Sequence, residues 1–128
     1  MLNKKFAGEL ITLCLFSLLL TACGDMKAVS FSQDVKPILD NHCIECHKAG
    51  GQGELVSGFS MVDYDALMKG TRNGPMVIAE DAEGSNILVL MEGRADPSIS
   101  MPHGEQEPVS KQDIQTIRTW IEQGAKNN

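Results

Sequence analysis

Cys43-Ile44-Glu45-Cys46-His47 places two thiols three residues apart and an imidazole directly after the second. In a chain that leaves the cytoplasm, this spacing suits covalent attachment of haem, because two thiols can add across the two vinyl groups while the imidazole binds the iron. Two rival chemistries use similar residues. A redox dithiol is expected in a βαβ setting. A zinc site needs two further ligands, for which only His42 and His103 remain, with no second spaced pair of ligands.

Upstream of the motif the chain reads as an export signal. Lys4 and Lys5 form a basic start, and the apolar run Leu10–Ala22, 13 residues long, ends in Leu20-Thr21-Ala22-Cys23. That run is short for a bilayer span and has the small residues of a cleavage end. Its last four residues resemble the lipobox of bacterial lipoproteins, in which the cysteine thiol carries lipid. The expected division is a signal at 1–22, a lipidated tether at 23–30 beginning at Cys23, and a single domain at 31–128. An uncleaved anchor, or an ordinary signal in which Cys23 is incidental, is the alternative. Gly24 after Cys23 gives no clear retention signal, which tilts the address of a periplasm-facing anchor towards the outer membrane.

Removal of 1–22 leaves nine basic against 16 acidic side chains, hence a net charge of −7. Such a surface repels nucleic acid and anionic headgroups. Membrane attachment then falls to the N-terminal lipid, and the acidic balance suits redox protein partners with a basic docking face. Cys14 leaves with the signal and Cys23 is taken by lipid, so only Cys43 and Cys46 remain, and no disulfide framework is available beyond that pair.

The domain pattern is helical. Ser32 or Asp34 is placed to cap a helix to about Cys43, with Val35, Ile38 and Leu39 on its apolar stripe. The glycines at 50, 51, 53 and 58 read as a loop. Met61, Tyr64, Leu67 and Met68 recur at helical spacing until Gly70, and extended chain is expected at Met76–Ala79. Ser85 reads as the cap of a helix through Met91, with Gly93 at its end. A loop with three prolines runs to Pro108. The closing helix has Ser110 as cap, Asp113 in the capping-box position, Val109 set to staple Ile114, and Gly124 as stop. With no strand alternation and no internal repeat, the fold class is all-α, three to five helices with long loops.

An iron held by His47 either has or lacks a sixth ligand, and this separates electron transfer from ligand binding or peroxide chemistry. Met101, in the loop Ser100-Met101-Pro102, is 54 residues beyond His47 and is the leading candidate. His103 is the alternative, since a neutral imidazole also binds iron. Met91 falls among Leu88 and Leu90 in an expected helix, where core packing is the ordinary role. Arg72, Arg94 and Trp120 have the chemistry to meet haem carboxylates, although a solvated surface suits the arginines equally.

The segment Phe31–Cys43, the Cys-Ile-Glu-Cys-His motif, the Met101-Pro102 loop and the ending Trp120-Ile121-Glu122-Gln123-Gly124-Ala125 resemble a class I monohaem cytochrome c, nearest to the planctomycete-type cytochrome c domain. The resemblance is loose from Gly50 to Glu83. It implies a cytochrome c-like fold around one covalent haem c held by Cys43 and Cys46, with His47 and Met101 as axial ligands. Such a protein is an electron carrier rather than an enzyme. A small peroxidase-like haem enzyme or a gas-binding sensor would instead need an open sixth position. The family usually has a second proline after Met-Pro; this chain has His103 there.

Overall fold

The computed structural model describes residues 27–104 and 106–128. The expected signal and Cys23 lie outside the described residues. The first helical segment starts at Ser30, whose hydroxyl accepts from the Gln33 N–H (3.2 Å) while its own N–H donates to the Asp34 carboxylate (2.8 Å). This reciprocal cap satisfies donors at the helix start. It corrects the expected caps: Ser30 takes the place assigned to Ser32, and Asp34 is the returning arm rather than the cap. A π-helical turn, Phe31–Val35, leads into α1, Lys36–His42. Pro37 is the second residue of α1 but the seventh of the helical path from Phe31, so it returns no N–H to the π-helical turn that precedes it. Val35, Ile38 and Leu39 are buried as the stripe predicts.

The glycine-rich stretch is not a plain loop. It contains α2, Gln52–Ser57, which ends at Gly58 with φ +76°, a left-handed value that glycine adopts at little cost. Gly51 matters for a different reason: a Cβ there would stand 2.4 Å from the Cys46 carbonyl oxygen. That glycine gives close approach, which sequence alone does not distinguish from flexibility.

Asp63 caps α3, Tyr64–Lys69, by accepting from the Ala66 N–H (2.8 Å). Met61 lies ahead of α3, not within it. The segment Met76–Ala79 carries no helix or strand. Helix α4, Asn86–Met91, follows Ser85 as expected, but the Ser85 hydroxyl makes no cap bond. It is fully buried, accepts from the Ile78 N–H (2.8 Å) and donates to the Asp81 carbonyl (2.7 Å), closing the loop before the helix. A 3-10 turn, Pro97–Ile99, interrupts the proline-containing loop. The last helix, α5, Lys111–Glu122, has the expected cap, with Ser110 Oγ accepting from the Asp113 N–H (3.1 Å). Gly124 turns the chain at φ +96°.

Among the described residues there is no strand, only an isolated bridge between Thr71 and Gly74, and the class is all-α with five α-helices. No helix among them is long and apolar enough to cross a membrane. One half of the core is aromatic: Phe31 meets Tyr64 edge-on at 5.2 Å and Trp120 at 5.6 Å. The Trp120 N–H donates to Lys126 O (2.9 Å) and the Tyr64 hydroxyl to Ala125 O (2.8 Å), so both rings bury their apolar bodies with their polar atoms satisfied. Lys27 and Val29 hydrogen-bond to the Gln123 side chain, which brings the start of the described chain against the end of α5. Between α4 and α5, Arg118 bridges Glu92 (2.6 Å) and Glu83, and Arg94 also reaches Glu92 (2.6 Å). Burial alone would push the Glu92 carboxyl up, but the hydrogen bonds and charges of the two arginines outweigh it and hold it below the usual carboxylate range.

Candidate functional site

The thiol–imidazole motif continues α1 as turns. Cys43 and Ile44 donate to Leu39 O (2.9 and 3.0 Å), and Cys46 and His47 both donate to Cys43 O (3.2 and 3.0 Å). This local winding is what turns spacing in sequence into side chains on one wall. The Cys46 carbonyl accepts from Glu54 N–H (3.1 Å) at the start of α2, and the His47 carbonyl accepts from Met61 N–H (2.8 Å).

His47 is one of two buried polar side chains in the described core. Its Nδ1 lies 2.9 Å from the Phe59 carbonyl, and the Phe59 ring meets the imidazole edge-on at 5.4 Å. A carbonyl oxygen only accepts, so Nδ1 carries the proton. In the neutral ring this leaves the Nε2 lone pair available as a ligand. Gly53 closes over the same ring, since a Cβ on it would stand 2.7 Å from Cε1 and 2.8 Å from Nε2. Neither Phe59 nor Gly53 was legible as a site residue. Each acts through main chain or missing side chain, for which the sequence carries no mark.

Cys43, Cys46 and His47 line a cavity of about 740 Å³, a size suited to a cofactor. Its walls are mainly apolar and include Phe59, Met61, Met76, Ile87 and Leu90. Among the described residues no Asp, Glu, Lys or Arg lines it. Met101 and His103 both line this cavity. Met101 is half-buried and His103 exposed, and the Met101 N–H donates to Leu90 O (3.2 Å), fixing the loop to the end of α4. Met91, expected to pack in the core, also lines the cavity, because the last turn of α4 faces it. Arg72, Arg94 and Trp120 do not line it.

The donor set fits haem c. An apolar cavity accepts a porphyrin face, a tautomer-fixed imidazole accepts iron, and two free thiols stand at the wall. Burial, and then the neighbouring Cys46, push the Cys43 thiol up to about 12. A redox dithiol needs the opposite, a lowered thiol pKa. No cluster of three or more His, Cys, Asp or Glu side chains placed to hold a metal ion occurs among the described residues, so the zinc alternative lacks its ligands.

An all-α fold wound around one cavity, with paired thiols, an imidazole and a thioether in its lining, defines a cytochrome c-like domain. Residues 43–105, 63 of the chain's 128, match the family model described as planctomycete cytochrome C. The match begins at the first motif cysteine and runs past Met101. No curated protein and no solved structure matches the chain. That family-model match points to haem binding and electron transfer.

Proposed function

We propose that this protein is a single-haem electron carrier, lipid-anchored through Cys23 on the periplasmic side of a bacterial membrane. The observation that carries the redox reading is the common lining: the thiols of Cys43 and Cys46, the buried imidazole of His47 and the thioether of Met101 all border one apolar cavity. When bound there, haem c supplies a one-electron couple between ferrous and ferric iron. Cys43 and Cys46 would hold it by thioether bonds, His47 through Nε2, and Met101 from the loop after α4, with His103 as the alternative. The apolar lining excludes water, and Phe59 O keeps the imidazole oriented.

The carrier reading is supported by the cytochrome c match rather than by the cavity lining, which includes the imidazoles of His42 and His103. The export and lipid assignments rest on Leu10–Ala22 and on the four residues ending at Cys23. A net charge of −7 on the mature chain favours a basic redox partner, met through a small, short-lived interface whose rate falls with salt.

An absorption spectrum of the purified protein in both oxidation states, together with its intact mass, tests the proposal. The expected result is c-type bands, a far-red band of sulfur bound to ferric iron, and a mass raised by one porphyrin. A mature, exported chain without the porphyrin increment overturns it. An exchangeable sixth position would favour a peroxidase-like or gas-binding role instead.

A further inference from the structure

Helix α2 lines the cavity from its first residues to its last, through Gln52, Gly53, Val56 and Ser57. At the start of α2, Glu54 N–H donates to Cys46 O (3.1 Å) and Gly51 sits against the same carbonyl. At its finish, Arg72 N–H donates to Ser57 O (3.0 Å), and the Arg72 guanidinium donates to Leu55 O (2.9 Å) and Val56 O (2.8 Å). The backbone of α2 thus ties the Cys46 carbonyl, through Gly51 and Glu54, to the turn Thr71–Gly74, through Leu55, Val56 and Ser57.

A haem carries its two vinyl groups on one edge and its two propionates on the opposite edge. If Cys43 and Cys46 hold the vinyl edge, as in the proposed function on which this inference rests, the propionates belong at the far end of α2. Buried or half-buried carboxylates require donors or a cation. The cavity lining offers no cation among the described residues, but Arg72 stands in sequence between two lining residues, Thr71 and Asn73. The Thr71 hydroxyl is already used within the turn, donating to Gly74 O and accepting from Asn73 N–H. The Ser57 hydroxyl is likewise engaged, with Gly53 O and Phe59 N–H. The Asn73 carboxamide has no partner among the described residues and keeps both its donors. His42 and Gln52 also line the cavity but lie beside Cys43 and Cys46, and His103 and Gln106 line it from the segment that follows Met101.

We infer that the turn Thr71–Gly74 is the propionate-binding end of the cavity, with Asn73 donating hydrogen bonds and Arg72 supplying the compensating positive charge. The site takes carboxylates by charge and donor geometry, and sets how far their negative charge favours ferric iron.

The test uses the full, haem-loaded chain, with attachment verified by intact mass for every variant. Asn73→Leu is expected to shift the propionate carboxylate bands in the infrared difference spectrum between oxidised and reduced protein, whereas Gln52→Leu at the other end leaves them in place. Arg72→Leu is expected to lower the midpoint potential at fixed pH. Arg72→Lys is expected to keep the midpoint, although lysine cannot grip Leu55 O and Val56 O together; a merely structural role for Arg72 would move both variants alike. Loaded Asn73→Leu protein with unmoved bands, or equal midpoints for Arg72→Leu and Arg72→Lys, overturns the assignment. A wild-type chain that takes up no porphyrin removes the proposed function itself, and so is a different failure.

Discussion

The two walls that carry the axial candidates are built in different ways. His47 belongs to a wall made by one short stretch of chain, Cys43 to Met61. There its ring is hydrogen-bonded to Phe59 O, its carbonyl is bonded to Met61 N–H, and Gly53 closes over it. Met101 belongs to a loop, half-buried, tied by its N–H to Leu90 O. One candidate ligand is thus oriented by its own neighbourhood, and the other depends on how a loop is anchored to a distant helix. Damage to the first wall should cost folding and haem attachment, while damage to the second should change the iron and spare the fold.

The hardest test of this contrast removes the covalent link. Covering on the order of 500 Å² of apolar porphyrin surface at ~25 cal/mol/Å² contributes about 12 kcal/mol as an upper bound, comparable to the whole stability of a small domain. Cys43→Ala/Cys46→Ala protein lacking haem is therefore expected to lose its cooperative melt by circular dichroism. A cooperative melt would mean that the aromatic half around Phe31, Tyr64 and Trp120 supports the fold by itself.

Met101→Ala separates the walls. Loss of a thioether that favours ferrous iron should lower the potential and open the iron to carbon monoxide, with the melt nearly unchanged. His103→Ala should do neither. The reverse result in spectroelectrochemistry would exchange their roles.

A smaller effect sharpens the account of the His47 wall. Gly53→Ala puts a methyl against the imidazole, and overpacking of this kind costs about 1–3 kcal/mol. The denaturation midpoint should fall and the haem bands should shift, because the ring must move. An unaltered spectrum would show that α2 yields instead.

The smallest expected effect lies away from both walls. Glu92 has its folded pKa held below the ordinary 4.5, so its ion pairs stabilise the protein above that value and lose their contribution as pH falls through the lowered one. Glu92→Gln should flatten the acid limb of the stability–pH curve by less than about 1 kcal/mol, since partly exposed pairs are worth little. Melts at neutral pH and in acid measure it; an equal acid loss in both proteins would assign the limb to other carboxylates.

Much local structure was legible in the sequence, although α2 was not, because its glycines read as a loop. The Cys43–His47 motif, the apolar stripe of α1, the Ser110 cap and the Gly124 stop all depend on residues within a turn of one another, and the structure has them as expected. The Ser30 cap was misplaced by two residues, because Ser30, Ser32 and Asp34 all have cap chemistry and only the path of the chain chooses among them. Ser85 marked a helix start correctly, but its hydroxyl serves Ile78 and Asp81, partners that appear only when the loop closes.

The sequence by itself determined the kind of protein: a cytochrome c-like helical chain with the Cys43–His47 motif, and with a thioether and an imidazole offered by one downstream loop. Only the tertiary structure decided which carbonyl orients His47, that Gly51 and Gly53 are there for close approach, and that Met91 faces the cavity with Met101. The physical reason is range. Winding, capping and thiol spacing are fixed by neighbours along the chain, whereas a shared cavity wall exists only after segments dozens of residues apart have packed together.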